Sequence, residues 1–259
     1  MNLNNFNVTP IEAFSDNYIW CIELDKHCIV VDPGDSAPVL THLNTHNLTP
    51  VALLITHHHA DHIGGVKTLV EKYPDIQVIA GDNSRIPCVT QLVKQGQSVD
   101  IEQLNLRFEV LSVPGHTRDH FAFYSDLGLF CGDTLFSAGC GRLFEGTPDQ
   151  MLDSLKKLSE LPASTPVYCT HEYTLSNIRF ALAAEPNNQQ LQAYQQHCQN
   201  LRAAQKPTLP SSIGQELAIN PFLRCTEQEI INNVKQHSQQ PLSSENDVFA
   251  ALRSWKDNF

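Results

Sequence analysis

The stretch Thr56-His57-His58-His59-Ala60-Asp61-His62-Ile63-Gly64-Gly65 places five side chains that can bind a metal within six consecutive positions. It directly follows the apolar run Val51–Ile55, whose β-branched and aliphatic residues are typical of a buried strand. Because side chains alternate along a strand, we expect His57 and His59 to face one way and His58 the other. Buried strand ends do not normally collect histidine and aspartate without a ligand that neutralises them, so the stretch predicts a metal site.

Three further residues of metal-binding type stand just after predicted strands. These strands are Phe108–Val113, Leu129–Cys131 and Val167–Cys169, and the residues that follow them are His116, Asp133 and His171. Taken singly, each is equally well explained as a turn residue, a helix cap or a satisfied core histidine. Their shared position, which is also that of the histidine-rich stretch, favours one common site.

The complete candidate set exceeds one tetrahedral site and suits two metal ions that share one carboxylate. Its seven members are His57, His59, Asp61, His62, His116, Asp133 and His171. Imidazole and carboxylate groups suit zinc, iron or manganese. The set contains no cysteine, which disfavours a closed structural zinc site.

Hydrophobic periodicity divides the chain into a body of mixed strands and helices and a helical tail after about residue 174. The other predicted strands are Tyr18–Leu24, Cys28–Val31 and Gln77–Ala80. The predicted helices are Ala37–Asn44, Gly65–Lys72, Pro148–Leu158, Leu175–Ala184, Asn188–Ala204, Glu227–His237 and Ser244–Trp255. Thr147 before Pro148 is a helix-start signal, and Thr226 with Glu229 predicts a capping box.

Length and composition exclude several classes of protein. With 259 residues, 41% hydrophobic and 17% charged, the chain is neither disordered nor fibrous. The net charge of −11 and the lack of a Lys/Arg run argue against nucleic-acid and anionic-membrane binding, and no apolar run is long enough to span a membrane. Eight scattered cysteines without a CxxC pair, and a start without a signal-like segment, predict reduced thiols and a cytoplasmic location.

The Thr-His-x-His-x-Asp-His pattern, with later His, Asp and His at strand ends, resembles the metallo-β-lactamase superfamily. Motifs along nearly the whole chain narrow this resemblance to the hydroxyacylglutathione hydrolases, or glyoxalase II. These motifs are Asp16-Asn17-Tyr18, Val31-Asp32-Pro33-Gly34, Pro114-Gly115-His116-Thr117, Gly132-Asp133-Thr134, Gly139–Thr147, Thr170–Thr174, Asn220–Arg224 and Arg253–Asp257.

The resemblance implies an α+β fold with two domains. Residues 1–173 would form a four-layer αββα metallo-β-lactamase sandwich that carries catalysis, and residues 174–259 an α-helical substrate-binding domain. One metal would be held by His57, His59 and His116 and the other by Asp61, His62 and His171, with Asp133 bridging. Asp61 and Asp133 would be the catalytic carboxylates, and zinc is the favoured metal.

The resemblance also implies a reaction. The substrate would be S-D-lactoylglutathione or another S-2-hydroxyacylglutathione, hydrolysed to glutathione and D-lactate or the corresponding acid by a hydroxide that bridges the metals. This is the second step of methylglyoxal detoxification. A thioester suits this chemistry because its carbonyl is a good electrophile and a thiolate leaves without a strong acid.

By the same resemblance, glutathione would be bound by Arg142, Phe144, Tyr173, Arg253 and Lys256. Glutathione is a net anion, so local cations must bind it to a chain that is itself acidic. Arg253 and Lys256 lie on one face of a predicted helix because they are three residues apart. Arg142 and Phe144 replace a lysine and a tyrosine of other members, and Phe144 has no hydroxyl to donate. His58, Asp119, His120 and Cys140 are expected to be structural or supporting residues rather than ligands.

Three alternatives are weaker. A persulfide dioxygenase with one iron needs an open mononuclear site, which the full second set of ligands disfavours. A nuclease or phosphodiesterase is disfavoured by the acidic charge. A non-catalytic metal-binding protein is disfavoured by the intact ligand set. We therefore expect a monomeric enzyme whose partner is a small glutathione thioester, with neither nucleic acid nor membrane as partner.

Overall fold

The computed structural model describes residues 5–259, so the first residues of the predicted catalytic domain and of the predicted leaderless start lie outside the described part. The chain forms two compact units. The first unit consists of Met1–Ser112 with Asp119–Gly132, and the second of Val113–Arg118 with Asp133–Phe259. The predicted domain boundary after residue 173 stays a prediction.

The first unit contains a six-stranded sheet in the order β1 to β6, in which β1–β3 are antiparallel and β3–β6 parallel. Its strands are β1 Asn7–Ala13, β2 Asn17–Leu24, β3 His27–Val31, β4 Thr49–Ile55, β5 Gln77–Ala80 and β6 Gln91–Leu92. Its helices are α1 Ser36–His46, α2 Ala60–Ile63 and α3 Val66–Lys72. The strand β1 was not predicted, because Pro10 interrupts its pattern. Proline is tolerated there because β1 is an edge strand.

Alternation along these strands buries both faces of the sheet. Ile19 and Cys21 of β2 and Leu53 and Ile55 of β4 pack with α1 and α3 in one hydrophobic core. The intervening side chains, such as Ile22, are fully buried as well. A sheet covered on both faces needs the near-continuous apolar runs that the sequence shows at these positions.

A second, antiparallel set of strands completes the first unit, with the order β10-β9-β8-β7. Its strands are β7 Ser98–Ile101, β8 Leu106–Ser112, β9 Phe121–Ser125 and β10 Gly128–Gly132, and a 3₁₀ turn, Glu102–Leu104, precedes β8. The rings of Phe108, Phe123 and Phe130 are fully buried and meet edge to face. The N–H of Phe121 donates to the carbonyl of Thr56 at 2.9 Å, which ties this set to the end of β4.

The second unit is mainly helical. Its helices are α4 Pro148–Ser159, α5 Thr174–Ala184, α6 Gln189–Ala203, α7 Ile213–Ile219, α8 Gln228–Ser238 and α9 Glu245–Asp257, with a 3₁₀ turn at Pro221–Leu223. Its short strands are β11 Leu135–Phe136, β12 Gly139–Cys140, β13 Pro166–Cys169 and β14 Ser211–Ser212. Side chains of α5, α6 and α7 share one core. Phe222 lies between Phe180 and Phe249 in an aromatic cluster that joins α5 to α9.

The predicted starts of two helices have different outcomes. Thr147 and Gln150 form a capping box on α4, as the signal before Pro148 indicated. The predicted box of Thr226 and Glu229 is wrong, since α8 begins at Gln228 and Glu227 is its N-cap residue. The carboxylate of Glu229 instead accepts a 2.6 Å hydrogen bond from the Asn187 side chain. Within residues 5–259, no helix is both long and apolar enough to cross a membrane.

Candidate metal and substrate site

The first unit carries the histidine-rich stretch where β4 ends. The strand stops at Ile55, and residues 56–59 lead into the short helix α2, whose N-cap residue His59 has an extended backbone. The rings of His57 and His62 lie 4.0 Å apart and those of His57 and His59 4.6 Å apart, as centroid distances. The Nε2 of His62 lies 3.6 Å from an Asp61 carboxylate oxygen. These four predicted ligands are therefore brought together.

The buried carboxylate of Asp32, just after β3, orients this stretch. It accepts hydrogen bonds from the Thr56 N–H at 2.8 Å and the Thr56 hydroxyl at 2.7 Å. Its other contact is the Nδ1 of His62, at 2.9 Å. A carboxylate that holds Nδ1 of a histidine fixes the ring and leaves Nε2 for a metal, which is the usual outer partner of a ligating histidine.

Asp61 is held in place by a hydrogen bond from Asn17 and by close packing against Gly34. The Asn17 side chain donates to Asp61 Oδ2 at 3.0 Å. Gly34 approaches the backbone of Asp61 so closely that a Cβ at position 34 would lie 1.8 Å from the Asp61 carbonyl oxygen. Only glycine fits at that position, which explains the glycine of Val31-Asp32-Pro33-Gly34 in physical terms.

His58 and His120, which are predicted to be supporting residues, lie beside the predicted ligands His57 and His59. The Nδ1 of His58 lies 3.2 Å from an Asp119 carboxylate oxygen, and the Asn83 side chain donates to the same carboxylate. His120 is fully buried and stacks on the His57 ring with centroids 4.6 Å apart. Asp119 thus contacts both His58 and Asn83.

The second unit brings together the other three predicted ligands. One carboxylate oxygen of Asp133 lies 3.4 Å from His116 Nε2 and 3.4 Å from His171 Nε2. Metal–ligand bonds of about 2.0–2.2 Å at roughly tetrahedral or octahedral angles place neighbouring ligand atoms about 3.0–3.5 Å apart. The spacing therefore fits an oxygen that shares metal ions with two imidazoles.

His116 is oriented by a hydrogen bond at Nδ1, the ring nitrogen that faces away from Asp133. Its Nδ1 lies 2.8 Å from the carbonyl oxygen of Arg142 and donates to it, which directs Nε2 towards Asp133. The loop that carries His116 rests on α4, where the Ser154 hydroxyl donates to the Pro114 carbonyl at 2.7 Å. A Cβ at Gly141 would lie 1.9 Å from the Asp133 carbonyl oxygen, so the chain after β12 also packs directly on this group.

Two predicted substrate contacts lie next to these ligands. The Tyr173 ring stacks on His171 with centroids 4.6 Å apart and an interplanar angle of 6°. The Phe144 ring meets the edge of His116 at 5.2 Å and is 62% exposed. The Arg142 guanidinium lies 6.0 Å from the Phe144 ring centroid and 3.7 Å from the Asp257 carboxylate. An exposed aromatic and a cation therefore border the second set of ligands.

Arg253 and Lys256 differ although they share a face of α9. Arg253 is buried and donates to the Cys140 carbonyl at 2.9 Å and to Asp257 at 3.0 Å. The Lys256 ammonium lies 5.1 Å from the ring centroid of Phe180. Burial, and then the neighbouring charge of Arg253, lower the pKa of Lys256 to about 8. Burial raises the pKa of the Cys140 thiol, which therefore stays neutral and fits the structural role expected for it.

The groups that orient the predicted ligands cannot be recognised from local sequence patterns. Asp32, Asn17 and Gly34 stand in motifs of the family, but the motifs alone do not show what these residues contact. A charged or amide residue at the end of an apolar run was the available signal, and it applied to Asp32 as it did to Asp133.

Comparisons with known proteins bear on the whole chain. Residues 14–171 match the metallo-β-lactamase superfamily and residues 172–259 the hydroxyacylglutathione hydrolase C-terminus. A hydroxyacylglutathione hydrolase of Aliivibrio salmonicida is 52% identical over 255 residues, which cover 97% of this chain and 99% of the relative. The chain belongs to the hydroxyacylglutathione hydrolase family.

Solved structures support the metallo-β-lactamase fold. The crystal structure of ETHE1 from Myxococcus xanthus is similar with a TM-score of 0.65 and 26% identity, covering 97% of each chain. That of TTHA1623 in a di-iron-bound form has a TM-score of 0.61 and 25% identity, covering 83% of this chain and all of that one. The predicted fold class, a metallo-β-lactamase sandwich followed by a helical region, is confirmed. As a hydroxyacylglutathione hydrolase family member with clustered histidine and aspartate, the chain has a site for divalent metal ions.

We expect Asp32→Asn to weaken metal binding about 10–100-fold, because the amide no longer offers His62 a charged acceptor. Metal affinity is measured by competition with a chromophoric chelator. Asp35→Asn is the matched control, since Asp35 only caps α1 through the Ala37 N–H. Wild-type metal affinity in Asp32→Asn would contradict the orienting role.

Proposed function

We propose that this chain hydrolyses S-D-lactoylglutathione, and other S-2-hydroxyacylglutathiones, to glutathione and the 2-hydroxy acid, which is D-lactate for the first. This is the second step of methylglyoxal detoxification. The observation that carries the proposal is the Asp133 oxygen placed 3.4 Å from the Nε2 atoms of both His116 and His171. It stands in a chain about half identical, over nearly its full length, to proteins named hydroxyacylglutathione hydrolase.

The proposed centre holds two divalent ions, and zinc is favoured over iron or manganese. His57, His59 and His116 would bind one ion, Asp61, His62 and His171 the other, and Asp133 both. The donor chemistry supports this set, since it consists of imidazoles and carboxylates whose remaining ring nitrogens are already engaged at His62 and His116. Such ions, when bound, polarise a thioester carbonyl and lower the pKa of water to near neutrality.

The side chains of this protein would fix the positions of the metal ions and of the reacting carbonyl. Asp61 and Asp133 are the catalytic carboxylates, as ligands that set where the ions and the reacting carbonyl lie. Asp32 and the Arg142 carbonyl keep His62 and His116 in the orientation that exposes Nε2. No side chain has to donate a proton to the leaving group, since a thiolate departs unassisted.

Binding of glutathione is assigned to the residues around the second set of ligands. Arg142 and Lys256 provide positive charge for its carboxylates, and Phe144 and Tyr173 provide exposed aromatic surface. Arg253 is buried against Cys140, so in addition to its assigned contact with the substrate it holds the end of β12 in place. We further propose that the protein is a cytoplasmic monomer without a nucleic-acid or membrane partner.

The test of this function compares two thioesters with the purified protein, prepared without chelator. S-D-lactoylglutathione is expected to be hydrolysed, and much faster than a lactoyl thioester of a thiol without the γ-glutamyl and glycyl arms. The difference arises because the cations contact those arms. Equal turnover of both esters would remove the glutathione-binding assignment, and no turnover of either with metal bound would overturn the proposed reaction.

Asp133→Ala is expected to lose metal and activity together, because one carboxylate serves both ions. Metal per chain is measured by mass spectrometry and turnover with S-D-lactoylglutathione. The exposed Asp126→Ala is the matched control and is expected to behave as wild type. Asp133→Ala with wild-type metal content would exclude the bridging assignment.

Lys256 is expected to make substrate affinity depend on pH. Its pKa of about 8 means that the ammonium is charged below that pH and neutral above it, so KM should rise as pH increases through 8. Lys256→Ala should have a KM about 10-fold higher at pH 7 with little change in kcat, which is the pattern for lost uniform binding.

Lys256→Arg serves as the control, because guanidinium keeps its charge throughout this range. It should retain a low KM and lose the rise near pH 8. A pure kcat defect in Lys256→Ala would contradict a role in glutathione binding.

A further inference from the structure

A cluster of four metal-binding side chains lies in the first unit between the six-stranded sheet and α1. Its members are Cys21 and Glu23 of β2, Cys28 of β3 and His42 of α1. The pairing of β3 with β4 shows that these residues are distant from the histidine-rich stretch. Cys28 pairs with Pro50 at the start of β4, whereas His57 follows the end of that strand. The cluster is therefore at the opposite end of the sheet from the proposed catalytic ligands.

Strand geometry puts these side chains on one face. Cys21 and Glu23 are two residues apart in β2, so their side chains point the same way. Cys28 lies directly across from Glu23 in the antiparallel pair and shares that face. Cys21 and Cys28 belong to the core that α1 covers, which brings His42 over the same position.

The ligand atoms are already close together. The Nε2 of His42 lies 2.8 Å from a Glu23 carboxylate oxygen. The Cys21 sulfur, the Glu23 oxygen and the His42 nitrogen all lie within 4.8 Å of one another. Cys28 faces Glu23 across the antiparallel strand pair, which places its side chain next to these three. A tetrahedral zinc site has ligand atoms roughly 3.3–3.8 Å apart, so small side-chain movements would complete it.

We propose that Cys21, Cys28, Glu23 and His42 form a third, structural metal site, which takes zinc or a similar thiophilic divalent ion. Two sulfurs, one imidazole nitrogen and one carboxylate oxygen match the ligand types of closed zinc sites. Binding converts both thiols to thiolates and releases their protons to water. Both cysteines are fully buried, whereas the side chains of His42 and Glu23 are 12% and 14% exposed and give the ion its route of entry.

The bound ion would fasten α1 to β2 and β3. These strands lead into Asp32 and α1 follows it, so the site would stabilise the frame of the histidine-rich stretch without contacting it. Without an ion, the same residues are a histidine–glutamate pair above two buried thiols. A metal ion bound by thiolate would identify the occupied cluster, because the proposed catalytic ligands include no cysteine.

The test uses the full chain, freed of metal with a chelator and titrated with cobalt(II). Cobalt bound by thiolate absorbs in the near ultraviolet by charge transfer, whereas cobalt bound by imidazole and carboxylate alone lacks this absorption. The expected result is a charge-transfer band whose intensity at full cobalt loading corresponds to one thiolate-bound cobalt per chain. Cys21→Ala and Cys28→Ala should each lose or strongly reduce it, and turnover of S-D-lactoylglutathione should persist in both.

Two further variants guard against misfolding and adventitious binding. His42 lies at the rim of the core, so the His42→Gln variant should fold. It should nevertheless weaken the binding of the cobalt ion that produces the charge-transfer band. Cys88→Ser removes the exposed cysteine and should leave the band unchanged. A wild-type protein without the band at full cobalt loading, or a band that survives in Cys21→Ala, would overturn the proposal whatever the enzyme hydrolyses.

Discussion

The site in the first unit depends on one buried carboxylate. Asp32 is 2% exposed and adopts a left-handed backbone conformation with φ of 51°. Three groups contact its oxygens, from the Thr56 backbone, the Thr56 hydroxyl and the His62 ring. Replacing this carboxylate is costly, because its three buried partners would then lack their common acceptor. The ends of β3 and β4 and the position of α2 are thereby fixed relative to one another.

In the second unit, backbone groups rather than a buried carboxylate orient the predicted ligands. His116 is oriented by a carbonyl rather than a carboxylate, and its loop rests on α4 through Ser154 and Pro114. Asp133 is packed by the chain at Gly141, where a side chain would collide with its carbonyl. Both solutions place ligands just beyond strand ends, where the chain leaves the sheet and side chains can converge. The rigid strands fix where the ligand residues begin, and the loops allow their nitrogen and oxygen atoms to point towards a common position.

Sequence alone predicted the main buried strands because they depend on local patterns. Buried strands must be apolar on both faces, so runs such as Val51–Ile55 are conspicuous, and the ligands follow them directly. The edge strand β1 escaped because Pro10 and its half-exposed residues weaken the pattern. The capping box at Thr226 failed for a tertiary reason, since the distant Asn187 takes the Glu229 carboxylate. The role of Asp32 was equally non-local, because nothing near it in sequence identifies His62 as its partner.

Burial also separates two cations that sequence spacing makes equivalent. Arg253 and Lys256 are three residues apart on α9, and each lies over a phenylalanine ring of the same aromatic cluster. Guanidinium can satisfy a carbonyl and a carboxylate at once, and Arg253 does so with Cys140 and Asp257. The ammonium of Lys256 lies close to that fixed charge, and desolvation together with repulsion brings its pKa to about 8. The arginine thus organises the chain around β12, while the lysine ammonium loses its proton at a lower pH than an ordinary lysine does.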